Sequence, residues 1–386
     1  KNFIPPFDDG YEVATTVSYD SGNYIASFEK ALKMVGYDDF RKEQKQARDD
    51  GRLLGIGLSS YVEICGAAPS AVAGTLGARA GLWESANVRI HMTGKVSVFT
   101  GASAHGQGHE TAFAQIVSSE LGIPVEDIDV IHGDTSQIQM GTGSFGSRSA
   151  AVGGSAIHLS TQKIKDKARK LAAHILEASE EDIVFEDGKL FVQGAPSEGK
   201  TIQEIALSSY YYTEDIPEDM EPGLEAMSFF DPKNFTWPSG THIAVVEIDN
   251  LTGEVTLLRY IAVDDVGNVI NPMIVDGMVH GGAAQGIGQA LQEEAIYDDS
   301  GQLLTGSMLD YAVPRAWDMP MYELDRTVTP TSVNPMGVKG AGETATIAGS
   351  PAVINAVVDA LSPYGVRHID MPAKAEKVWR LIQNSN

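Results

Sequence analysis

Glu343 stands in Gly337-Val338-Lys339-Gly340-Ala341-Gly342-Glu343, just before an Ala-, Val- and Ile-rich stretch that predicts a helix at about 344–361. A carboxylate set in flexible backbone can be brought against a reacting centre as a general base. The plainer alternative is a first-turn acid favoured by the helix dipole. Three further glycine-rich segments have a similar setting: 101–109, containing His105-Gly106-Gln107-Gly108-His109; 141–149, containing Phe145-Gly146-Ser147-Arg148-Ser149; and 281–289, containing Gln285-Gly286-Ile287-Gly288. Read as loops at or near helix starts, all four would present unpaired backbone N–H groups at the positive end of a helix, which is an anion site. None has the spacing of a P-loop or a dinucleotide fingerprint. Turns and caps are the bland alternative for any one of them. Four together, with amide, Ser and Arg donors interleaved, predict a cradle for an extended, phosphate-bearing ligand.

Other residues carry weaker signals. Arg148 could hold a phosphate or pair with one of the many carboxylates. His105, His109 and Glu110 could suggest zinc, but His105 lies in the loop and the order is not H-E-x-x-H, so no metal ligand is assigned. Cys65 reads as a small buried apolar residue. Asp264 and Asp265 read as a solvated strand end rather than a cation site.

The elements that must position these groups form a repeated pattern. A hairpin about Thr93-Gly94, a Gln-containing glycine segment, a helix and a strand occupy about 88–132; the same order returns near 243–304 and suggests an internal duplication. A helix over about 155–178 follows the second glycine segment, and 373–383 predicts a final amphipathic helix. The expected division is a first domain at 1–212, an acidic, proline-bearing linker at 213–240 and a second domain at 241–386. The fold class is α+β: two related mixed-sheet domains with packed helices.

Composition sets limits. The chain has 386 residues and a formal charge of −24, from 28 basic and 52 acidic residues. That argues against a nucleic-acid surface or an anionic membrane surface. One cysteine permits neither an internal disulfide nor a Cys-ligated iron–sulfur cluster, and it suits a reducing, cytoplasmic setting. No apolar run approaches a membrane span. Glycine is the unusual number, at 40 residues.

Taken in order, Gly106-Gln107-Gly108-His109-Glu110-Thr111, Gly143–Ser149, Ala284–Leu291 and Gly337–Glu343 resemble the molybdenum hydroxylase family of xanthine dehydrogenase, aldehyde oxidase and aerobic carbon monoxide dehydrogenase. The phrases Lys1-Asn2-Phe3-Ile4-Pro5, Gly267–Pro272, Ser307–Pro314 and Met371-Pro372 add to the likeness, whose closest flavour is the carbon-monoxide-dehydrogenase-like large subunit. The resemblance implies two molybdopterin-binding domains around a molybdopterin with molybdenum, often in the cytosine dinucleotide form. It places Gln107 and Gln285 at the cofactor, with Gly106, Gly108, His109, Gly286, Gly288, Lys339, Gly340 and Gly342 in the surrounding loops. The backbone about Gly146 falls beside the metal, Phe145 is among the cofactor-binding residues, and Ser147, Arg148 and Ser149 fall on the pterin and phosphate side. Glu343 matches the family's catalytic base, which takes a proton from the water-derived oxygen destined for the substrate carbon. In Gly277-Met278-Val279-His280-Gly281-Gly282, Met278 departs from the Gln usual in the family's Gly-Gln-Val-His-Gly-Gly phrase.

The resemblance also implies partners: the family's earlier half, as a separate polypeptide or as part of a longer chain, an iron–sulfur subunit, an FAD subunit, and a small-molecule substrate. The expected activity is hydroxylation of an aldehyde, an N-heterocycle or a similar carbon centre. The alternatives are a carbon monoxide dehydrogenase large-subunit fragment, a non-catalytic cofactor-binding scaffold, and a zinc hydrolase.

Overall fold

The computed structural model describes residues 2–384 except 16, 76 and 78; Lys1 of the opening phrase lies outside them. In chain order the elements are β1 (Tyr11–Glu12), β2 (Ser18–Tyr19), α1 (Tyr24–Val35), α2 (Tyr37–Asp49), β3 (Leu53–Val62), α3 (Ser70–Thr75), β4 (Glu84–Ile90), β5 (Val96–Thr100), α4 (His109–Leu121), β6 (Ile128–His132), α5 (Ser155–Ile175), β7 (Ile183–Glu186), β8 (Lys189–Val192), β9 (Lys200–Thr201), α6 (Ile202–Tyr211), β10 (Leu224–Phe230), β11 (Ser239–Ile248), β12 (Val255–Asp265), α7 (Pro272–Leu291), β13 (Tyr322–Arg326), α8 (Thr344–Ala360) and α9 (Ala375–Gln383).

Two compact units emerge, and their boundaries correct the serial division. One comprises Lys1–Ile64, Trp237–Thr331 and Lys339–Asn386; the other comprises Cys65–Thr236 and Ser332–Val338. The first 64 residues go with the C-terminal segments because β3 pairs antiparallel with β11 along its whole length, Leu53 opposite Ile248 and Val62 opposite Ser239. The predicted linker at 213–240 is also partly sheet: β10 pairs with β4, Leu224 opposite Ile90.

In the first unit the strand order is β13-β12-β11-β3. Both faces are covered, so the strands read as near-continuous apolar runs. Ile243, Val245, Ile261 and Val263 face α1 and α2, whereas Ala244, Val246, Tyr260 and Ala262 join the core formed with α7 and α8. A bulge passes over Leu258 and lets Leu257 share the face of Tyr260. α1 is capped by Asn23, which accepts from the Ala26 amide, and it ends at Gly36 in the left-handed conformation. Its buried face is Tyr24, Ser27, Ala31 and Val35. α8 lies close on β3: a Cβ at Gly57 would come within 2.1 Å of the Ala352 carbonyl oxygen.

The second unit has the strand order β10-β4-β5-β6. β4 and β5 form the expected hairpin, and β6 runs parallel to β5. α4 buries Phe113, Ile116, Val117 and Leu121, as its spacing predicts. A wide helical turn, Ser149–Gly154, leads directly into α5. A small sheet, β7-β8-β9, completes the unit with α6, whose start is a capping box between Thr201 and Glu204.

The duplication is visible in topology. Hairpin β4–β5, helix α4, parallel strand β6 and helix α5 match hairpin β11–β12, helix α7, parallel strand β13 and helix α8. An outer antiparallel strand completes each sheet, β10 in one case and β3 in the other. The returning strand of the second copy is β13 at 322–326, well beyond the expected end near 304.

Candidate functional site

In the second unit, two glycine loops are knitted into one platform. A Cβ on Gly101 would lie 2.3 Å from Gly141 Cα, so the backbones cross where only glycine fits. Ser144 Oγ donates to the Ser103 carbonyl at 2.8 Å, accepts from the Ser103 amide at 3.0 Å and lies 2.6 Å from Ser149 Oγ. Gly106 and Gly108 take positive φ, and Gly108 precedes the first residue of α4. Gln107 folds back on its own loop: its Oε1 accepts from the His105 amide and its Nε2 donates to the Ser103 carbonyl at 3.2 Å. Gly146 and Ser147 are also left-handed, and the Gly146 carbonyl accepts from the Gly66 amide at 3.1 Å.

Arg148 is 1% exposed, and its charge is directed inward. Nη1 donates to Glu84 Oε2 and to the Gly143 carbonyl, each at 2.8 Å, while Nη2 donates to the Leu82 carbonyl. The guanidinium therefore staples the loop to β4, with a carboxylate as its partner in this structure. Burial pushes the Glu84 carboxyl up, opposed by Arg148. His109 is buried, stacks on Phe113 at 4.9 Å and leaves Nδ1 without a hydrogen-bond partner. Burial and the nearby His132 lower its pKa to about 4. Glu110 instead engages His132 Nε2 at 2.9 Å. Among the described residues no group of three His, Cys, Asp or Glu side chains is placed to hold a metal ion. Phe145 is half exposed.

In the first unit, Glu343 is exposed and immediately precedes α8. Lys339, at 3% exposure, is not a surface cation: Nζ donates to the Ser21 carbonyl at 2.9 Å and Thr329 Oγ1 at 3.1 Å, and lies 3.7 Å from Asp20 Oδ1. Burial lowers its pKa, opposed by Asp20 and Asp265. The segment at 281–289 is the clearest correction. It is the interior of α7, not a loop at a helix start. Its glycines serve close packing: a Cβ at Gly286 would lie 3.0 Å from Gly349 Cα of α8, and one at Gly288 would lie 2.4 Å from Pro314. Gln285 is exposed on α7 and its Oε1 accepts from Thr346 Oγ1 at 3.4 Å. Thr346 lies three residues after Glu343 and thus on its side of the helix.

Asp264 and Asp265 are 2% and 1% exposed, which overturns the expected solvated strand end. Asp264 Oδ1 receives Tyr61 at 2.5 Å and lies 2.9 Å from His242 Nε2. This buried cluster escaped the sequence reading. Its one signal was a histidine within the apolar run Thr241-His242-Ile243-Ala244. Cys65 is fully buried, as expected.

A family model described as the molybdopterin cofactor-binding domain matches residues 30–320. The chain belongs to the molybdenum hydroxylase family. It is 42% identical to the carbon monoxide dehydrogenase large chain of Hydrogenophaga pseudoflava, over 100% of this chain and 48% of that relative. It is 38% identical to the nicotine 6-hydroxylase large subunit of Paenarthrobacter nicotinovorans, over 94% of this chain and 44% of that protein. Among solved structures, a Cu,Mo-CO dehydrogenase matches with a TM-score of 0.92 and 40% identity, covering 97% of this chain and 47% of that one. Quinoline 2-oxidoreductase from Pseudomonas putida 86 matches with a TM-score of 0.91 and 38% identity, covering the same 97% and 47%. The chain thus spans about half the length of the curated relatives it matches.

The residues of this chain fit a molybdopterin. The platform offers main-chain donors, and a Cβ at Gly106 would meet only open space. The His109 Nδ1 is an orphaned buried polar atom beside the same loop. Arg148 and Lys339 each direct their charge to protein partners.

Proposed function

We propose that this chain is the molybdopterin-binding half of a molybdenum hydroxylase subunit that oxidises a carbon centre with water as the oxygen source. The observation that supports it most is an exposed Glu343 at the start of α8, with Gln285 on the neighbouring helix, in a member of this family. When bound, the cofactor supplies the two-electron redox chemistry. The chain's own residues bind and orient. The main chain of Gly106, Gln107 and Gly108, with His109, and that of Phe145, Gly146, Ser147 and Ser149 would hold the cofactor. Arg148 acts beneath them, pinning the loop to Glu84. Gln285 would offer its amide; Gly286 and Gly288 let α7 approach its neighbours. Lys339, with Gly340 and Gly342, would set the course of the backbone into Glu343, whose carboxylate accepts the proton of the attacking oxygen.

The finer readings are a cytosine dinucleotide form of the cofactor, a cytoplasmic setting, and partner chains carrying iron–sulfur and FAD groups. The first is tested by acid release of CMP from the purified complex. With a single cysteine these 386 residues cannot ligate a cluster, which supports a cluster held outside them, and none of the helices among the described residues is long and apolar enough to cross a membrane. The relatives' names include carbon monoxide dehydrogenase and nicotine 6-hydroxylase, so dye reduction is to be measured with carbon monoxide, nicotine, quinoline and benzaldehyde.

Glu343→Gln in the assembled complex should lower turnover about 100-fold or more, the range of a lost general base, at unchanged molybdenum content. Full activity of that variant, or a complex free of molybdenum, would overturn the reading. A scaffold role predicts indifference to Glu343→Gln.

A further inference from the structure

In the duplicated pattern α4 is joined to β6 by residues 122–127, whereas α7 is joined to β13 by residues 292–321. Connections longer than about 12–15 residues are uncommon in compact domains and usually carry a function. This one is ordered. It begins with a small hairpin, in which Tyr297 pairs with Leu303, the Leu304 amide donates to the Ile296 carbonyl at 2.7 Å and the Ile296 amide donates to Thr305 Oγ1 at 3.0 Å. A turn follows, closed by the Tyr311 amide on the Ser307 carbonyl at 2.9 Å. The connection is then tied back to α7 and the residues just after it. The Tyr311 hydroxyl donates to Glu293 Oε2 at 2.8 Å, and Pro314 packs so closely that a Cβ at Gly288 would lie 2.4 Å from it.

Met319 of this connection packs against the core of its unit. Other large apolar side chains point outward: Met308, Leu309, Trp317 and Met321 are 76–94% exposed, and Tyr297 and Leu304 are exposed as well. Met and Trp are enriched at the buried centres of interfaces, and clustered exposed apolar side chains mark interaction sites. A hydrogen-bonded backbone that holds such residues in water is a preformed docking surface. Exposed Asp298, Asp299 and Asp310 make its rim acidic, which disfavours an anionic membrane. The occupant follows from length. The two carbon monoxide dehydrogenase large chains match over 100% and 99% of this chain but over 48% and 47% of their own lengths. In each of them a further half of the same polypeptide is always present beside the matching half. Permanent interfaces are the most apolar, whereas electron-transfer contacts lie at the small end of the range. The stretch 296–321 alone is as long as one side of a standard interface, about 20–30 residues.

We propose that 296–321 is the docking surface for the polypeptide segment corresponding to the other half of the relatives' length, with Leu309, Trp317 and Met321 buried against an apolar face of that segment. The inference rests on family membership and stands apart from the role of Glu343. To test it, p-benzoylphenylalanine replaces Leu309 or Met321 in turn, the assembled complex is irradiated, and cross-linked peptides are identified by mass spectrometry. Cross-links from both positions should fall in the segment that matches the relatives' other half, as a separate polypeptide or as a continuation of this chain. The double variant Leu309→Asp, Met321→Asp should lower the yield of assembled complex about tenfold or more at an unchanged melting midpoint of the chain itself, since both side chains face solvent there. Leu251→Asp, on the exposed turn between β11 and β12, should leave the yield unchanged. Cross-links to a second copy of this chain, to an iron–sulfur or FAD subunit or to lipid, or no cross-link from either position, overturn the proposal. So does a double variant that assembles at the wild-type yield. An active Glu343→Gln overturns the base and leaves the cross-link result standing.

Discussion

Arg148 and Lys339 are the cations of their respective glycine loops, and each points into the protein. An ion pair as buried as Arg148–Glu84 contributes little net stability, yet breaking it by removing one partner costs roughly 3–5 kcal/mol. Its value is in fixing where the loop backbone lies. His109 makes a related point through protonation. Its folded pKa of about 4 lies below the ordinary histidine value of 6.5, so the unfolded chain binds more protons between those values. This contribution is complete above pH 6.5 and is lost as pH falls toward 4. His109→Phe, which keeps the stack on Phe113, should therefore reduce the loss of unfolding free energy between pH 7 and pH 5 by about 2 kcal/mol. Urea melts at the two pH values check this; an unchanged difference would place the imidazole in contact with solvent. The left-handed glycines at 106, 108 and 146 were legible because backbone conformation is a local property. The partner of Arg148 was not, because Glu84 lies 64 residues away in sequence.

At the scale of elements, α7 shows why glycine is ambiguous in a sequence. Four glycines within 281–289 read as a turn, since each costs a helix about 1 kcal/mol relative to Ala. The cost is accepted where a second helix comes close, and that contact is a tertiary fact that no local window contains. The two roles separate within this one helix. Gly277 has open space where a Cβ would be, whereas Gly286 faces Gly349 and the Ser350 amide at 3.0 Å. Gly277→Ala should stabilise by about 1 kcal/mol through helix propensity. Gly286→Val should destabilise by roughly 1–3 kcal/mol by forcing α7 from α8. Denaturant midpoints of the two variants test the assignment, and shifts of the same sign would contradict it. The strand elements were more legible, because alternation and turn residues fix them locally. The His242 network was not, since Tyr61, His242 and Asp264 come from three strands.

At the scale of the whole molecule, the serial order of segments misleads about what folds together. The repeat was legible as a pattern, but each copy needs an outer strand that lies outside it: β10 follows the first copy and β3 precedes the second by more than 170 residues. A segment starting at 241 lacks β3, α1 and α2, and so leaves Ile243, Val245, Ile261 and Val263 uncovered on one sheet face. Exposing that apolar surface removes on the order of 1.5–3 kcal/mol for each side chain, comparable in sum to the whole stability of a domain. The stretch 65–236 instead contains every strand of its own four-stranded sheet, together with α4 and α5. Expressed alone, 65–236 should melt cooperatively by circular dichroism, whereas 241–386 should show no cooperative transition and should bind a hydrophobic dye. Adding a 1–64 polypeptide to 241–386 should restore the transition by supplying β3 and its covering helices. A cooperative melt of 241–386 alone would mean that the second sheet is stable without β3, and the grouping of the first 64 residues with the C-terminal segments would fail.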